Sequence, residues 1–423
     1  MGAGPAGLAA ALRLQQQTNI TCTIYELRPE PTTLGGAIGI QPNGLRLLDR
    51  LGVYDEFAAR GFGESVTTWH SLRLYGGHDV GSADMVGWAR EQTGYGYLRI
   101  KRRDIVDILK EAVERAGIKI YFGKRLVKTE NFDEADEAGR RGGVKVTFED
   151  GSTDEADLLL GCDGIHSFLR RSYVDPDHGP EYSGVSALGA LIPSERLKTE
   201  TVEQIHGIEA TLTEEGMLVV NPCLPNKEEM FMFFSKWVPL PDTGDSRDGW
   251  EIHGKEEIDG FKEQLLTTLQ EAQGKWVEAL RDLIHSTSAV NFYPVYRLPL
   301  GGRWSRGRCA LVGDAAHAMS PHAGQGVSMA FEDAFLLARL LEDPERPIEE
   351  VFEKYDRIRR PRVSEISQMA AERAELRKKS TSLGLRLKEM KLHGMMNVSG
   401  ALGLDKKGLK QGHMVYDIDE VEL

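Results

Sequence analysis

The chain contains little cysteine, and its four cysteines are far apart, with no C-x-x-C pair: Cys22, Cys162, Cys223 and Cys309. This spacing excludes a disulfide scaffold and a cysteine-based zinc site, and it is typical of a protein from a reducing compartment. Long apolar runs are absent as well. Because a membrane-spanning helix needs about 18 uninterrupted apolar residues, the sequence predicts no transmembrane segment.

Basic residues are fewer than acidic residues: the chain has 52 lysines and arginines and 65 aspartates and glutamates, so the formal net charge is −13. Proteins that bind nucleic acid through counterion release need a basic face, so no nucleic-acid partner is expected. The first 20 residues lack a charged segment followed by an apolar run, which predicts no secretory signal and a cytoplasmic location. Glycine, with 46 residues, is the one excess, and its clusters indicate where the function lies.

The first glycine cluster, GAGPAG, matches the dinucleotide-binding pattern G-x-G-x-x-G. Apolar residues then recur at helical spacing, and a strand-like run over 21–25 ends in an acidic residue about 20 positions past the last glycine, where such folds bind a ribose. A glycine-rich turn that binds nothing is the alternative interpretation. We favour a dinucleotide site formed by Gly2, Gly4, Gly7 and Glu26.

The beginning of the chain is unusual, because Met1 stands directly before a motif that normally follows a buried strand. That strand is central in the parallel sheet of such folds. Without it, the neighbouring strands would keep unpaired backbone groups, each costing about 1–3 kcal/mol. We therefore expect that Met1 is not the natural start and that roughly 5–10 residues forming a β-branched strand precede it.

Two further motifs follow in the sequence. In GCDGIHSFLRR, a buried strand delivers Asp163 and Gly164 to its carboxyl end, where open α/β sheets bind ligands. In the long motif over 307–334, Asp314 follows another buried strand and can accept a hydrogen bond from a ligand hydroxyl. The glycine-rich loop 321–326 leads into a helix whose N-terminus carries about half a positive charge and can stabilise anionic density.

With three motifs in this order, residues 2–375 resemble the single-component FAD-dependent aromatic monooxygenases, a family that includes salicylate and p-hydroxybenzoate hydroxylases. The family's Arg-x-x-hydrophobic motif, which contacts FAD, best matches Arg102, with Arg103 as the alternative. The family also uses its second motif for the nicotinamide cofactor. The resemblance implies that FAD is bound by Gly2, Gly4, Gly7, Glu26, Gly36, Ala37, Arg102, Asp163, Gly164, Gly313, Asp314, Gly324, Gly326 and Val327.

The resemblance also implies an α/β fold: a Rossmann-like, glutathione-reductase-like FAD-binding lobe with an inserted, mostly antiparallel β-sheet substrate lobe and a C-terminal helix. Apolar runs without intervening helices over 180–300 agree with such an insertion. The expected division is 1–179 and 301–345 for the two parts of the FAD lobe, 180–300 for the substrate lobe, and 346–423 for a C-terminal helical region and tail. The sequence predicts no oligomeric state.

The activity implied is that of a monooxygenase in which NAD(P)H reduces FAD and O2 forms a flavin C4a-hydroperoxide. One oxygen atom then hydroxylates or epoxidises an organic, largely apolar or aromatic small molecule, and no metal is needed. The resemblance favours a fungal-type enzyme of secondary metabolism. A flavin-dependent reductase of related fold, or a flavoprotein impaired by the absent first strand, are the alternatives. No residue stands out as catalytic.

The chain departs from the family at the residues that handle a substrate phenolate in fungal-type phenol hydroxylases. Gly189 stands about where those enzymes carry an arginine, and Asn221 where they carry a tyrosine. No cation or phenol lies nearby in the sequence, so phenolate activation is not expected. Asn221 is either a hydrogen-bonding residue for a neutral carbonyl or amide, or a turn residue before Pro222.

Three other features leave alternatives open. His317 and His322 lie five residues apart, a spacing that fits no zinc helix motif, so a structural role or a place at the flavin edge is expected. The aromatic and methionine run 230–237 either lines an apolar pocket with one face or packs in the core. The tail 380–411 carries leucines, methionines and lysines, which favours packing against the body over a membrane surface.

Overall fold

The structure is a computed structural model that describes residues 1–31, 37–61, 66–72, 79–132, 142–223, 226–237, 255–404 and 407–423. None of the helices within these ranges is long and apolar enough to span a bilayer. All four cysteines are present as free thiols.

The strands of the described ranges are β1 (Thr23–Tyr25), β2 (Ala37–Ile40), β3 (Val66–His70), β4 (Asp79–Asp84), β5 (Leu98–Lys101), β6 (Lys119–Tyr121), β7 (Leu126–Phe132), β8 (Gly143–Phe148), β9 (Thr153–Ala156), β10 (Leu159–Gly161), β11 (Glu181–Pro193), β12 (Ile208–Leu212), β13 (Gly216–Pro222), β14 (Glu229–Trp237), β15 (Asn291–Arg297), β16 (Ser305–Arg306) and β17 (Cys309–Leu311).

The α-helices of the same ranges are α1 (Pro5–Gln17), α2 (Pro42–Arg50), α3 (Tyr54–Arg60), α4 (Gly87–Thr93), α5 (Arg102–Arg115), α6 (Thr199–Gln204), α7 (Lys255–Thr268), α8 (Lys275–Ser286), α9 (Asp314–His317), α10 (Gly326–Leu340), α11 (Ile348–Ala374) and α12 (Ser382–Leu402).

The nucleotide-binding lobe contains two short parallel pairs, β1–β6 and β10–β17, that meet at the first two residues of the chain. The amino group of Met1 donates to the Leu160 carbonyl at 2.7 Å, and the Cys162 N–H donates to the Met1 carbonyl at 2.8 Å. On the other side, the Gly2 N–H donates to the Tyr25 carbonyl at 2.8 Å. Helices α1, α5, α10 and α11 pack around these strands and close one large apolar core.

The second lobe is built on a seven-stranded sheet with the order β15-β11-β14-β13-β12-β3-β4. All neighbouring pairs are antiparallel except β12–β3, so the expected mostly antiparallel sheet is confirmed. Five strands lie within 181–297, whereas β3 and β4 come from 66–84, before the segment that the sequence assigned to this lobe. Their membership of this sheet could not be predicted, because it depends on the pairing of β3 with β12, far along the chain.

The alternation of β14 divides the run 230–237 between the two faces of the sheet. Met230, Met232 and Phe234 pack against α7 and α8 in the core of the second lobe. Phe231 and Phe233 point to the opposite face, where their rings stack at 5.6 Å between centroids. One face of β14 therefore packs in the core of the lobe, and the opposite face can line an apolar pocket.

The antiparallel ribbon β2–β5 connects the two lobes. Ile40 and Ile100 are completely buried in the core of the nucleotide-binding lobe. The alternate residues of β5 point the other way, and Lys101 forms an ion pair with Glu229 of β14 at 2.6 Å. One face of the ribbon thus belongs to the nucleotide-binding lobe and the other contacts the seven-stranded sheet.

The C-terminal segment differs from the sequence-based expectation because residues 382–402 form a regular helix, α12. Its Leu385 is buried against the seven-stranded sheet, in agreement with packing against the body. Leu383, Leu387 and Met390 are more than half exposed on the outer face. The sequence did not delimit this helix, because apolar residues on two of its faces conceal the helical period.

Candidate active site

The three glycines of the first motif have different structural roles. Gly2 has a φ of +101°, and a Cβ there would overlap the Cys162 carbonyl; a Cβ at Gly7 would overlap the Gly2 carbonyl oxygen. At Gly4, no atom lies within 4 Å of a built Cβ. Packing therefore requires Gly2 and Gly7, whereas Gly4 leaves open space at the N-terminus of α1, whose first N–H groups can bind an anion.

Glu26 lies where the sequence predicts it, directly after β1 and beside the glycine loop. Its carboxylate accepts the Ala3 N–H at 2.7 Å and the Arg28 N–H at 2.9 Å. These bonds hold the acidic group next to the open space at Gly4, which is the arrangement that a ribose contact needs.

Asp163 presents a buried acceptor that lacks a partner. Its Oδ2 atom accepts the Phe168 N–H at 2.7 Å, but its Oδ1 atom is buried and forms no hydrogen bond. Gly164 beside it has a φ of +75° and open space at its Cβ position. Since buried polar atoms are almost always paired, the Oδ1 atom fits the hydroxyl group of a ligand.

Asp314 occupies a concave position in the middle of the molecule. The flanking residues 313 and 315 are buried, yet the side chain of Asp314 faces open space. Surrounding protein atoms raise the pKa of its carboxyl, and the nearby charges of His317 and Arg102 oppose that rise. An exposed carboxylate enclosed in this way lines a cleft, where a ligand hydroxyl can reach it.

Arg102 is the first residue of α5 and lies close enough to Asp314 for their charges to interact. Arg103, the alternative, is exposed and pairs with Asp107 on its own helix at 3.4 Å. The geometry therefore favours Arg102 over Arg103 as the residue that faces the cleft. Lys101 is the N-cap residue of this helix, and Asp104 lies in its first turn.

The loop before α10 continues the cleft. Gly324 has a φ of +65°, and Gly326 begins α10 with no atom within 4 Å of a built Cβ. Both positions are exposed, Val327 is half-buried, and the intervening Gln325 is buried. The loop therefore presents two exposed glycines at a helix N-terminus.

Buried amide side chains, which the sequence analysis missed, hold this loop in place. Asn43 Nδ2 donates to Gln325 Oε1 at 2.9 Å, and Gln41 Nε2 donates to the Ala323 carbonyl at 3.1 Å. Gln325 also donates to Gln41. In the sequence, the polar residues on both sides of Pro42 could have indicated this contact between α2 and the loop.

A buried ionic cluster supports the third motif from behind. Arg359 of α11 donates to Asp333 at 2.7 Å and to Glu332 at 2.6 Å. Asp333 also accepts the Gly313 N–H at 2.8 Å and binds His317 Nε2 at 2.6 Å. Burial alone would raise the pKa of Asp333. The electrostatic effects of His317 and Arg359 outweigh that of burial and lower this pKa to about 2.

His317 accordingly has a structural role in this cluster, as the sequence analysis allowed. Elsewhere in the described ranges, no group of three or more His, Cys, Asp or Glu side chains is placed to hold a metal ion. His322 lies in the loop before Gly324, where burial and the charge of Arg377 lower its pKa to about 2. His322 is therefore neutral at physiological pH.

Burial and two neighbouring arginines likewise lower the pKa of His413 to about 3. Its pKa is depressed below the unfolded value of about 6.5, so its contribution to stability is complete above pH 6.5 and is lost as the pH falls towards 3. Because of this histidine, the unfolding free energy of the wild type should fall by about 2 kcal/mol between pH 6.5 and 5. His413→Gln should not show this fall. Urea unfolding at both pH values measures this difference; an unchanged pH dependence in the variant would contradict it.

Asn221 is a buried residue of strand β13 rather than a turn residue, and the structure brings to it a cation and a phenol that are not nearby in the sequence. Arg99 Nη1 donates to Asn221 Oδ1 at 3.1 Å, and Arg99 also donates to the Tyr97 hydroxyl. Arg99 belongs to β5 and Tyr97 directly precedes that strand, so both are far from β13 in the sequence. The sequence could not show this pairing because only the contact between the two lobes brings these strands together.

The predicted residues converge as follows. Ala37 begins β2 and pairs with Lys101, next to Arg102. Gly36 lies outside the described residues. Pairwise contacts connect several of the predicted positions: Gly2 lies against Gly7 and Asp163, Gly313 lies against Ala6 of α1, and Asp314 lies near Arg102.

Residues 1–370 match the family model described as "FAD binding domain". The chain belongs to this family. It is 31% identical to a 6-hydroxynicotinate 3-monooxygenase of Pseudomonas fluorescens over 89% of this chain and 91% of that protein. It is 29% identical to a salicylate hydroxylase of Pseudomonas putida over 89% of this chain and 85% of that protein.

Among solved structures, Klebsiella pneumoniae HpxO in complex with FAD and uric acid matches with a TM-score of 0.76 and 25% identity. The match covers 96% of this chain and 95% of that one. The expected family and fold are thus confirmed. This family member is an FAD-dependent monooxygenase, an oxidoreductase for which NAD(P)H is the typical co-substrate.

Proposed function

We propose that this monooxygenase hydroxylates a small aromatic or heteroaromatic ring that carries an ionisable oxygen substituent. The relatives are named for 6-hydroxynicotinate and salicylate, and the HpxO structure holds uric acid; all three are small rings with acidic oxygens. The observation that carries the proposal is the cleft itself, with an unpaired buried Asp163 oxygen and bare glycines at two helix N-termini. These features fit FAD.

FAD, when bound, supplies the redox chemistry that NAD(P)H oxidation and oxygen insertion require. We assign the open space at Gly4 to its diphosphate, with the N-terminus of α1 stabilising the negative charge. Glu26 accepts hydrogen bonds from the ribose, and Asp163 and Asp314 accept them from the ribityl chain. The resemblance adds Gly36 and Ala37 near the flavin, and Arg102 beside Asp314.

The remaining flavin-edge residues are Gly313, Gly324, Gly326 and Val327. Bare glycines at 324 and 326 let backbone atoms approach the ring system closely, which a side chain would prevent. The positive end of α10 stabilises negative charge on the reduced ring. Gly164 permits the same close approach beside Asp163, where we also place the nicotinamide contact.

The substrate wall is the face of the seven-stranded sheet opposite α7 and α8. Phe231 and Phe233 lie there, and Gly189 pairs with Phe233 in register, so that position 189 adds no side chain beside that ring. Stacked aromatic rings hold a planar substrate and exclude water from it.

For the chain as a whole, we propose an FAD lobe of residues 1–179 and 301–345, with β3 and β4 assigned to the substrate lobe of 180–300, and a C-terminal region of 346–423. The free state of all four cysteines supports a cytoplasmic location. A fungal source and a role in secondary metabolism remain predictions.

The direct test combines NAD(P)H oxidation by the purified flavoprotein with mass spectrometry of the products from hydroxylated benzoates, nicotinates and purines. Substrate-stimulated oxidation with the gain of one oxygen atom supports the proposal. NAD(P)H oxidation without oxygen in any product would favour a reductase. A protein that remains colourless when FAD is added would contradict both functions.

Gly326→Val tests the loop in the same assay. The built Cβ meets no atom, so the fold should persist, but the side chain would lie where the flavin edge is proposed. We expect at least a tenfold loss of product per NAD(P)H oxidised, with the melting temperature of the FAD-free protein unchanged. Gly260→Val, at another open position on the remote helix α7, is the control. Normal coupling in Gly326→Val would contradict the role of the loop.

A further inference from the structure

Arg99 lies on the face of the β2–β5 ribbon that contacts the substrate lobe. Along β5, Leu98 and Ile100 belong to the core of the nucleotide-binding lobe, so the alternation of the strand directs Arg99 the other way. There its guanidinium reaches Asn221 Oδ1 at 3.1 Å, on the sheet face that also carries Phe231, the register partner of Asn221. Arg99 therefore stands at the edge of the proposed substrate wall.

This guanidinium is a buried cation without an anion. Arg99 is 8% exposed, its hydrogen-bond acceptors are the neutral Asn221 and Tyr97, and its Nε atom has no hydrogen-bond partner. No carboxylate of the described residues lies within ion-pair distance of it. Buried charges are normally paired, because an uncompensated charge pays the full cost of desolvation.

Two other cations of the same region show the normal arrangement. Lys101, the next residue on the same face of β5, pairs with Glu229 at 2.6 Å. Arg359, which is fully buried, binds two carboxylates. Arg99 is thus an exception within its own strand, and its free Nε atom marks the place where a hydrogen-bond acceptor is missing.

The position of Arg99 relative to the flavin loop follows from the ribbon. Arg99 pairs in register with Gly39, and the bare backbone of Gly39 makes room for the Tyr97 hydroxyl. Two residues later, Gln41 binds the loop that contains Gly324 and Gly326. Arg99 therefore lies between the proposed flavin edge and the substrate wall.

We propose that Arg99 determines substrate specificity by binding the negatively charged oxygen of the substrate ring, a phenolate or a carboxylate, while Asn221 positions the guanidinium. The inference rests on the proposed function and deepens it. Arg99 thereby supplies the cation that fungal-type phenol hydroxylases carry about where this chain has Gly189. A site built to bind an anion rejects an uncharged isostere, because its own charge would then remain unpaired.

The test measures ligand binding separately from turnover. The FAD-loaded protein is titrated with benzoate, 4-nitrophenolate and uncharged benzamide, and binding is followed by the perturbation of the flavin absorption spectrum. We expect the wild type to bind at least one anion about 10- to 100-fold more tightly than benzamide. The anion that is preferred identifies the oxygen as carboxylate or phenolate. Absence of any preference for the anions would overturn the proposal.

Two variants then assign the preference to Arg99. Arg99→Met should remove it, and Asn221→Asp should remove it as well, because the new carboxylate pairs with Arg99 and competes with the ligand. Asn221→Asp is nearly isosteric and keeps the cation paired, so it remains informative if Arg99→Met does not fold. Lys110→Met, which removes an exposed charge on α5, should leave the preference unchanged.

Retention of the anion preference in Asn221→Asp would overturn the proposal even if turnover fell. Basal NAD(P)H oxidation without substrate, measured in the same preparations, separates the two hypotheses. If the wild type oxidises NAD(P)H and binds anions but inserts no oxygen, the proposed function fails while Arg99 keeps its role.

Discussion

Gly4→Thr is expected to leave the FAD-free protein as stable as the wild type and to lower its affinity for FAD at least about 100-fold. Gly4 is the N-cap residue of α1 and has an extended backbone conformation, which threonine adopts readily. No protein atom lies within 4 Å of the built Cβ, so the new side chain occupies only the space assigned to the diphosphate. Equilibrium titration of the apoprotein with FAD measures the effect.

The matched variant is Gly7→Ala, three residues along in the same motif. A Cβ at Gly7 overlaps the Gly2 carbonyl oxygen, so this smaller substitution should destabilise the apoprotein itself. The two variants thus separate a glycine kept for the ligand from a glycine kept for packing. Wild-type FAD affinity in Gly4→Thr would show that the diphosphate lies elsewhere.

Arg359→Met is expected to lower the free energy of unfolding by about 3–5 kcal/mol. The guanidinium is fully buried and pairs with Glu332 and Asp333, and removing it would leave two carboxylates in the core without their counter-charge. The pKa of Asp333 would then rise, so that its carboxylate would be ionised less readily. This carboxylate orients the Gly313 N–H and His317. FAD retention should therefore fall together with stability.

Urea unfolding of the apoprotein and the flavin-to-protein absorbance ratio measure the two effects. Arg357→Met, two residues earlier on the exposed side of α11, serves as the control and should change the unfolding free energy by less than about 0.5 kcal/mol. If Arg359→Met unfolded at the wild-type urea concentration, the ionic cluster would contribute no net stability.

The cofactor motifs could be located from the sequence because each is local. In the glycine loop, in Asp163–Gly164 and in the segment 313–327, a strand, a turn and a helix N-terminus are neighbours along the chain. Backbone geometry within a few residues therefore dictates which positions must be glycine. The off-by-one alternative at Arg102 needed the structure, because the two arginines differ only in which side of α5 they occupy.

The substrate side of the site could not be predicted in the same way. Gly189 suggested a missing cation and Asn221 a missing phenol, yet Arg99 approaches Asn221 from a strand 122 residues earlier. The amide cluster of Gln41, Asn43 and Gln325 and the pairing of β3 with β12 are equally remote in sequence. No periodicity or motif in the sequence indicates such contacts, because they depend on how the two lobes pack.

By itself, the sequence determined the fold class, the order of the cofactor motifs and the family, since short-range backbone requirements and the alternation of apolar residues are written along the chain. The tertiary structure alone decided which polar groups are left without partners. Asp163 and Arg99 are ordinary residues in the sequence. We propose them as binding groups because packing removes water from an Asp163 oxygen and from the Arg99 cation, and no described residue provides a counterpart.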